Sequence, residues 1–184
     1  MNTHLQHIQT VLAEADLLFD EVDVNRALNR LAAQITDLVK DENPILLCVL
    51  TGGIYLTGQL LSRLQFALQL DYVHATRYKG QTVGGGMDWV AKPTIDMKHR
   101  TVVIVDDILD EGTTLVALQE FCKAQGAKSI YSAVLVEKRH DRKALGAVAT
   151  FVGLEVDDRY VFGAGMDYKD YLRNLPGIYA VKGS

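Results

Sequence analysis

The chain contains 184 residues, of which 48% are apolar and 23% are charged, and its formal net charge is −4. This size and composition favour one globular domain that buries its own core. The acidic balance argues against a protein that attracts nucleic acid or an anionic membrane by overall charge. Because no apolar stretch could span a bilayer and no secretory signal is visible, we expect a cytoplasmic protein, with Cys48 and Cys122 as reduced core thiols.

The spacing of apolar residues predicts alternating helices and strands. The first helix is expected over residues 25–40, with Asp23 or Asn25 as its N-cap. An uninterrupted apolar run at 45–50 predicts a strand that is buried on both faces. The remaining predicted elements are, in chain order, a helix through residues 60–68, a strand at 70–78, a strand at 102–105, a helix at 115–124, and strands at 130–136 and 149–154.

This alternation predicts an α/β fold with a doubly wound, mainly parallel sheet. One segment does not fit the pattern. Residues 79–92 include Gly80, Gly84, Gly85 and Gly86 and show no sustained period. A glycine-rich loop of this length in a small domain is usually a lid or a binding loop, although a plain surface hairpin is an alternative.

The segment at 101–115 carries the strongest functional signal. Its apolar, β-branched run ends in Asp106 and Asp107, and Asp110 follows shortly before Gly112 and a helix-like pattern. Open α/β sheets bind ligands at the carboxyl ends of their parallel strands. The first turn of a helix offers free backbone N–H groups and a positive dipole end to an anion. Carboxylates beside such a cradle suit a sugar phosphate, which presents hydroxyls at one end and a phosphate at the other.

Two other families also place acidic pairs after an apolar strand. A P-loop ATPase needs a second glycine followed by lysine, but the nearest candidate, at 53–58, continues with Gln59. A response-regulator receiver carries its acidic pair near the start of the domain and a phosphoacceptor aspartate at the end of a later strand. Here the pair lies at 106–107, and the next predicted strand ends in Glu137 and Lys138. Both interpretations are therefore disfavoured.

The segment at 102–114 resembles the phosphoribosyl-pyrophosphate signature of the type I phosphoribosyltransferases. The rest of the chain is similar to the hypoxanthine-guanine phosphoribosyltransferase branch of that family. Further segments carry the resemblance in the expected order: a pyrophosphate loop at 48–53, a mobile lid at approximately 77–92, a base-reading lysine segment at 136–139, and a base-stacking hood segment at 151–168.

The resemblance implies a reaction in which N9 of a purine displaces pyrophosphate from C1′ of phosphoribosyl pyrophosphate, with Mg²⁺ as cofactor. The expected substrates are the 6-oxopurines hypoxanthine and guanine, and the products are IMP or GMP. It also implies a single phosphoribosyltransferase domain over 1–184, with a small hood built from approximately residues 1–24 and 155–184. Relatives are commonly dimers or tetramers, so we expect a homodimer or homotetramer that binds neither nucleic acid nor membrane.

The resemblance gives the acidic residues roles at the ribose and at the 5′-phosphate. Asp106 and Asp107 would hold the 2′- and 3′-hydroxyls, directly or through Mg²⁺, although an acidic strand end can also be merely solvated. Asp110 would lie beside the purine N7 as general acid or base, and it could also cap the helix. Glu111 departs from the family pattern, and we expect its side chain to point to solvent. The implied 5′-phosphate site consists of Asp110, Glu111, Gly112, Thr113 and Thr114.

The implied pyrophosphate site consists of Thr51, Gly52 and Arg173. The family favours a lysine or arginine at the position of Thr51, so one positive charge is missing from this loop. Our hypothesis is that Arg77, where the family often has serine, restores that charge from the lid. Tyr78 would cover the closed site, but packing within the lid explains this residue equally well.

The implied base site combines a lysine, a stacking aromatic and a backbone edge. Lys138 would donate to the purine 6-oxo group, which disfavours adenine because its 6-amino group cannot accept. Tyr160 would stack on the base, and the backbone of Val161 would read its edge. Asp167 would bind a second Mg²⁺ near pyrophosphate, with nearby backbone facing the purine 2-position. The alternatives for the three side chains are a surface lysine, a generic aromatic and a solvated carboxylate.

A different function class is also open, because some proteins of this superfamily bind phosphoribosyl pyrophosphate as a signal and regulate RNA or DNA. Such a regulator usually needs a basic face, whereas this chain is net acidic and has no run rich in arginine and lysine. The chain also keeps Asp110, Lys138 and a full-length lid, which catalysis needs and sensing does not. We therefore expect an enzyme.

Overall fold

Helices and strands alternate along most of the chain in the computed structural model, which describes residues 3–77 and 87–184. The helices in this part are α1 (Thr3–Glu14), α2 (Glu21–Val39), α3 (Gly53–Leu61) and α4 (Thr113–Ala124). The strands are β1 (Asp16–Phe19), β2 (Ile45–Leu50), β3 (Gln69–Arg77), β4 (Met87–Ala91), β5 (Thr101–Leu109), β6 (Ser129–Arg139), β7 (Phe151–Asp157), β8 (Val161–Phe162) and β9 (Ile178–Ala180).

The main sheet has six strands in the order β4-β3-β2-β5-β6-β7. Strands β3, β2, β5, β6 and β7 run parallel to one another, and β4 pairs antiparallel with β3 at one edge. The end of the segment predicted to be a glycine-rich loop therefore forms a strand. Tyr78 and the rest of 78–86 lie outside the described residues, and for Arg77 only the backbone position in β3 is described.

Helices cover both faces of this sheet because alternate residues of a strand point in opposite directions. Leu46 and Val103 belong to a buried cluster with side chains of α2 and α3. Leu47 and Ile104 belong to a second buried cluster with side chains of α4. The predicted doubly wound, mainly parallel α/β fold is thus confirmed. Strand β2 reads as a continuous apolar run because it is buried on both sides.

The sequence prediction missed α1, and several boundaries of the other helices differ from it. Helix α2 begins at Glu21, and its N-cap is Asp20, whose carboxylate accepts a hydrogen bond from the Asp23 N–H at 2.9 Å. The prediction missed this first turn because its only buried residue is Val24. Helix α3 spans Gly53–Leu61 and overlaps the predicted helix at 60–68 only at its last two residues, because the helical apolar spacing used for the prediction continues beyond the end of the helix. Among the cysteines, Cys48 and Cys122 are free and buried, as expected.

A second, three-stranded antiparallel sheet in the order β1-β9-β8 joins the two ends of the chain. The Arg159 guanidinium also connects the two ends of the chain, since it donates hydrogen bonds to the Asp16 carboxylate at 2.6 Å and to the Val181 carbonyl at 2.9 Å. Buried residues of this small sheet, such as Ile178, share the core of α2 and α3. We refer to it as the hood sheet. None of the helices in the described ranges has the length and apolarity needed to cross a membrane.

Candidate active site

The predicted site residues gather at the carboxyl ends of β2, β5 and β6. Strand β5 continues to Leu109 and does not end at Val105, because its pairing with β6 extends through Ile108 and Leu109. Asp106 and Asp107 therefore lie inside the strand, and the turn that leads to α4 begins at Asp110. This pairing holds the backbone of both carboxylates in a rigid sheet.

The turn between β5 and α4 has the geometry of an anion cradle. Gly112 has a φ of +75°, and a Cβ there would lie 2.4 Å from the Cβ of Ala147, so the turn needs glycine. The Val116 N–H donates to the Gly112 carbonyl at 3.0 Å, and the N–H groups of the preceding first turn point out of the helix. A cavity of about 220 Å³ lies at this end of α4. Its lining consists of Asp106, Asp107, Ile108, Leu109, Asp110, Glu111, Gly112, Thr114, Leu115 and Val134.

The two threonines of the predicted phosphate site differ in whether they line this cavity. Thr114 lines this cavity, whereas Thr113 is exposed and is not among its lining residues. Glu111 also lines the cavity and is only partly exposed, although we expected its side chain to point to solvent. The hydrogen bond to Asp158 is the main cause of a raised pKa of the Arg142 guanidinium, and the charge of Glu111 adds to this effect.

The two neighbouring aspartates are held where ionisation is disfavoured. Burial raises the pKa of Asp106 well above its usual value, and the charge of Asp107 raises it further. Burial also raises the pKa of Asp107, although the Arg173 guanidinium opposes this effect. An Asp106 oxygen accepts a hydrogen bond from the Asp107 N–H at 2.9 Å. Two crowded carboxylates with oxygen ligands fit a hard divalent cation, whose charge favours their ionised forms.

The turn after β2 packs directly against Asp107. A Cβ on Gly52 would lie 1.9 Å from an Asp107 carboxylate oxygen, so this position has no space for a side chain. Thr51 is exposed at this turn, and the Leu50–Thr51 peptide bond is cis. The segment near Gly165 approaches as closely, since a Cβ there would lie 2.8 Å from the Gly52 carbonyl oxygen. The backbone of the predicted pyrophosphate loop is therefore fixed against β5.

Arg173 contacts two of the predicted metal ligands, Asp107 and Asp167. Its guanidinium lies 2.7 Å from an Asp167 carboxylate oxygen and 3.6 Å from an Asp107 oxygen. It also donates to the Gly165 carbonyl at 2.8 Å. Asp167 is thus paired with a cation of the chain, so a metal there would have to share the carboxylate with Arg173.

A second cavity, of about 170 Å³, adjoins the first. The two share Asp107, Ile108 and Asp110. The lining of the second cavity consists of Asp107, Ile108, Asp110, Lys138, Tyr160, Val161, Met166 and Asp167. All four predicted base-binding residues therefore lie around one space, and this space meets the predicted phosphate site at the end of β5.

Asp110 lies between the two cavities and is paired on both sides. The Lys138 ammonium donates to one of its oxygens at 2.8 Å, and Nε2 of His140 lies 2.7 Å from the other. Partial burial acts to raise the pKa of Asp110, but the hydrogen bonds from Lys138 and His140 and the charge of Lys138 outweigh it, and the net pKa is lowered. The carboxylate is therefore ionised at neutral pH.

His140 is a site residue that the sequence prediction missed. It lies two positions after Lys138 at the end of β6, and residues two apart share a face of a strand. This spacing was the available signal. Ile108 and Met166 were also missed, although Ile108 stands between two recognised aspartates.

One further group of ligand-type atoms lies beside the second cavity. Asp110, His140 and Asp158 each place a ligand atom within 4.8 Å of the others. Lys138 and Arg142 already pair with the two carboxylates, at 2.8 Å for Lys138 to Asp110 and 2.6 Å for Arg142 to Asp158. Both carboxylates are thus paired with cations of the chain, and the group forms an ion-pair network.

Comparison with known proteins places this geometry in a family. A model of the phosphoribosyl transferase domain matches residues 16–170. A hypoxanthine-guanine-xanthine phosphoribosyltransferase from Tritrichomonas foetus is 31% identical over 91% of this chain and 92% of its own length. A hypoxanthine-guanine phosphoribosyltransferase from Bacillus subtilis is 33% identical over 90% and 92%, respectively.

Solved structures give the same result. A hypoxanthine phosphoribosyltransferase from Staphylococcus aureus is 27% identical, with a TM-score of 0.87 over 94% of this chain and 95% of the other. The fold, the acidic end of β5 and the sequence similarity therefore indicate the same family, and the similarity covers nearly the whole chain. The chain belongs to the phosphoribosyltransferase family, in its hypoxanthine-guanine branch.

Proposed function

We propose that this protein is a purine-salvage enzyme that transfers a phosphoribosyl group from phosphoribosyl pyrophosphate to N9 of hypoxanthine or guanine. The products are IMP or GMP and pyrophosphate. The observation that carries the proposal is the pair of adjoining cavities that meet at Asp107, Ile108 and Asp110. One cavity ends on a helix N-terminus suited to a phosphate, and the other is lined by a lysine and an aromatic suited to a purine.

The 5′-phosphate of the substrate occupies the turn at 110–114. Backbone N–H groups of this turn and the dipole of α4 supply positive potential at the phosphate. The hydroxyl of Thr114, which lines the cavity, adds a donor. Thr113 contributes through its backbone N–H, because its side chain is exposed.

The ribose and pyrophosphate lie between the end of β5 and the turn after β2. Asp106 and Asp107 accept hydrogen bonds from the ribose hydroxyls or would hold Mg²⁺ beside them, and Asp167 would be the ligand of a second ion. When bound, Mg²⁺ would supply positive charge against the departing pyrophosphate. Backbone N–H groups at Thr51 and Gly52 and the Arg173 guanidinium hold the same group.

The purine occupies the second cavity, where each base-contacting residue has a distinct task. The Lys138 ammonium donates to the 6-oxo group, Tyr160 stacks on the ring, and the Val161 backbone reads the ring edge. The ionised Asp110 accepts the N7 proton as N9 bonds to C1′. Holding both reactants in adjoining cavities lowers the entropic part of the barrier.

The proposed function is tested by incubating the purified protein with hypoxanthine, phosphoribosyl pyrophosphate and Mg²⁺. We expect IMP and pyrophosphate in equal amounts. No IMP, together with tight binding of phosphoribosyl pyrophosphate, would favour the signal-binding alternative. Comparison of kcat/KM for hypoxanthine, guanine and xanthine then defines the preferred base.

The D110N variant tests the assignment of Asp110 as proton acceptor. An amide keeps the size of the side chain but cannot take up a proton, so kcat should fall by roughly 100-fold or more, with a smaller change in KM. Steady-state kinetics with each substrate in turn measures this split. A D110N enzyme with near-normal kcat removes Asp110 from the chemistry.

We also propose that the protein is a cytoplasmic homo-oligomer. Its support is an apolar groove on the outer side of α3 and β3, where Ile54, Leu61, Leu70 and Tyr72 are exposed. Light scattering of the purified protein should give a mass of two or four chains. A monomer at micromolar concentration contradicts the proposal.

A further inference from the structure

The His140 imidazole is a buried partner of Asp110 with a defined hydrogen-bonding role. Its side chain is 5% exposed. The Arg142 backbone N–H donates to its Nδ1 at 3.1 Å, so Nδ1 is the acceptor and Nε2 carries the hydrogen. Nε2 then donates to Asp110 at 2.7 Å. This neutral tautomer is fixed by the backbone, so the role of His140 does not require a change of its charge.

Lys138 has two competing tasks at the same place. Its ammonium bonds to Asp110 at 2.8 Å in the free protein, and its side chain is 12% exposed. In the proposed function the same ammonium donates to the purine 6-oxo group. Turning towards the base moves the ammonium away from Asp110, and the attraction between the two charges falls as that distance grows. A partly buried carboxylate that loses a charged partner is destabilised unless another donor remains.

The groups around His140 form a closed ring of contacts, and this ring restricts the orientation of the Asp110 carboxylate. Lys138 contacts Asp110 and lies 4.0 Å from an Asp158 oxygen. Asp158 accepts two hydrogen bonds from the Arg142 guanidinium, at 2.6 and 3.1 Å. The Arg142 backbone in turn anchors His140. When Lys138 leaves Asp110, His140 is the member of the ring that still donates to it.

We propose that His140 is a positioning residue that keeps the Asp110 carboxylate in place at N7 while Lys138 transfers its hydrogen bond to the purine 6-oxo group. This inference rests on the proposed function, since it assumes that Lys138 and Asp110 meet the base. His140 is not among the residues that line either of the two cavities. It acts by holding one carboxylate oxygen in position throughout the exchange.

Two polar substitutions of His140 distinguish loss of its hydrogen bond to Asp110 from the general effect of replacing the residue. In H140Q the amide N–H reaches about as far as the imidazole Nε2, whereas in H140N the shorter side chain does not reach Asp110. We expect H140N to lower kcat with hypoxanthine about tenfold, since a hydrogen bond to a charged group is lost. H140Q should retain kcat within about threefold, and KM for phosphoribosyl pyrophosphate should stay unchanged in both.

A double-mutant cycle tests whether His140 acts through Asp110. In the D110N background, H140N should produce no further loss of kcat, because the group that it positions is already inactive. The matched control is H99N, in an exposed histidine at the far end of β5 whose φ of +61° asparagine tolerates. Additive losses in the cycle, or equal losses in H140N and H140Q, would overturn the proposal.

A measurement on the unsubstituted protein keeps the proposal testable if H140N does not fold. Nitrogen-15 NMR of the imidazole should show a protonated Nε2 and a bare Nδ1 both in the free protein and with IMP bound. Loss of the Nε2 hydrogen bond on IMP binding would contradict the positioning role. If the unsubstituted protein forms no IMP, the proposed function fails; if it forms IMP and D110N is inactive but H140N is fully active, only this inference fails.

Discussion

Asp106 lies in an environment that disfavours its charged form. Burial is the main cause of its raised pKa, and the charge of the neighbouring Asp107 raises the pKa further. The folded protein therefore holds this proton more tightly than the unfolded chain, where an aspartate has a pKa of about 3.9. The free energy of unfolding falls as the pH rises from that value through the raised pKa, so the carboxylate destabilises the free protein at neutral pH.

The D106N variant should be more stable than the unsubstituted protein at pH 7.5, and its advantage should shrink as the pH falls towards 4.5. A gain of ~1 kcal/mol raises Tm by about 2–4 °C in a protein of this size. Calorimetry at several pH values measures the difference, with D37N, on an exposed face of α2, as the control. The same variant should lose transferase activity. A D106N protein that is less stable at pH 7.5 would contradict this account.

Lys138 carries the expected preference for 6-oxopurines. K138Q should lower kcat/KM for hypoxanthine about 10- to 100-fold, because a charge-assisted hydrogen bond is lost. It should leave KM for phosphoribosyl pyrophosphate unchanged. Glutamine can also accept from a 6-amino group, so the ratio of adenine to hypoxanthine turnover should rise. An unchanged ratio would indicate that the lysine does not face the 6-position.

At the residue scale, the sequence predicted the types of group in the site better than their pairings. Asp110 and Lys138 were both proposed as site residues, but their contact joins positions 28 residues apart and follows only from the pairing of β5 with β6. The same holds for Arg173, whose contacts with Asp107 and Asp167 depend on the path of the chain after β8.

The turn after β2 is the element where backbone approach matters most. Gly52 has a φ of −60° and a ψ of −42°, which alanine adopts readily, so G52A tests the contact with Asp107 alone. The added methyl group should destabilise the protein by about 1–3 kcal/mol and raise KM for phosphoribosyl pyrophosphate at least several-fold.

Gly58 offers a matched control within α3, since a Cβ there meets nothing within 4 Å. G58A should stabilise the protein by up to about 1 kcal/mol, because alanine favours a helix over glycine. Thermal unfolding and steady-state kinetics compare the two variants. Equal stability and equal KM in G52A and the unsubstituted protein would show that the loop does not need its close approach to Asp107.

At the element scale, apolar runs in the sequence predicted the positions of strands well, but they predicted the ends of strands with polar residues poorly. Strand β2 was predicted at 45–50 and is observed at Ile45–Leu50, because its run stops at both ends. Strand β5 was predicted to end at residue 105 but reaches Leu109. Polar side chains at the carboxyl end of a strand do not interrupt backbone pairing, so a pattern based on hydrophobicity ends too early there.

At the scale of the whole molecule, the alternation of strands and helices was enough to predict the doubly wound sheet. The pairing within the hood sheet was not predictable from periodicity, because β1, β8 and β9 have only four, two and three residues. Their pairing brings Asp16 opposite Ala180, which no local pattern encodes. The hood sheet packs on the core of α2 and α3 and carries Val161 to the second cavity.

The most direct test of the central claim is a crystal structure of the protein with IMP. The claim is that backbone N–H groups of the turn at 110–114 bind the 5′-phosphate, while the base lies between Lys138 and Tyr160. We predict phosphate oxygens within hydrogen-bonding distance of the N–H groups of this turn and the 6-oxo group within reach of the Lys138 ammonium. A nucleotide phosphate bound away from this turn would contradict the account.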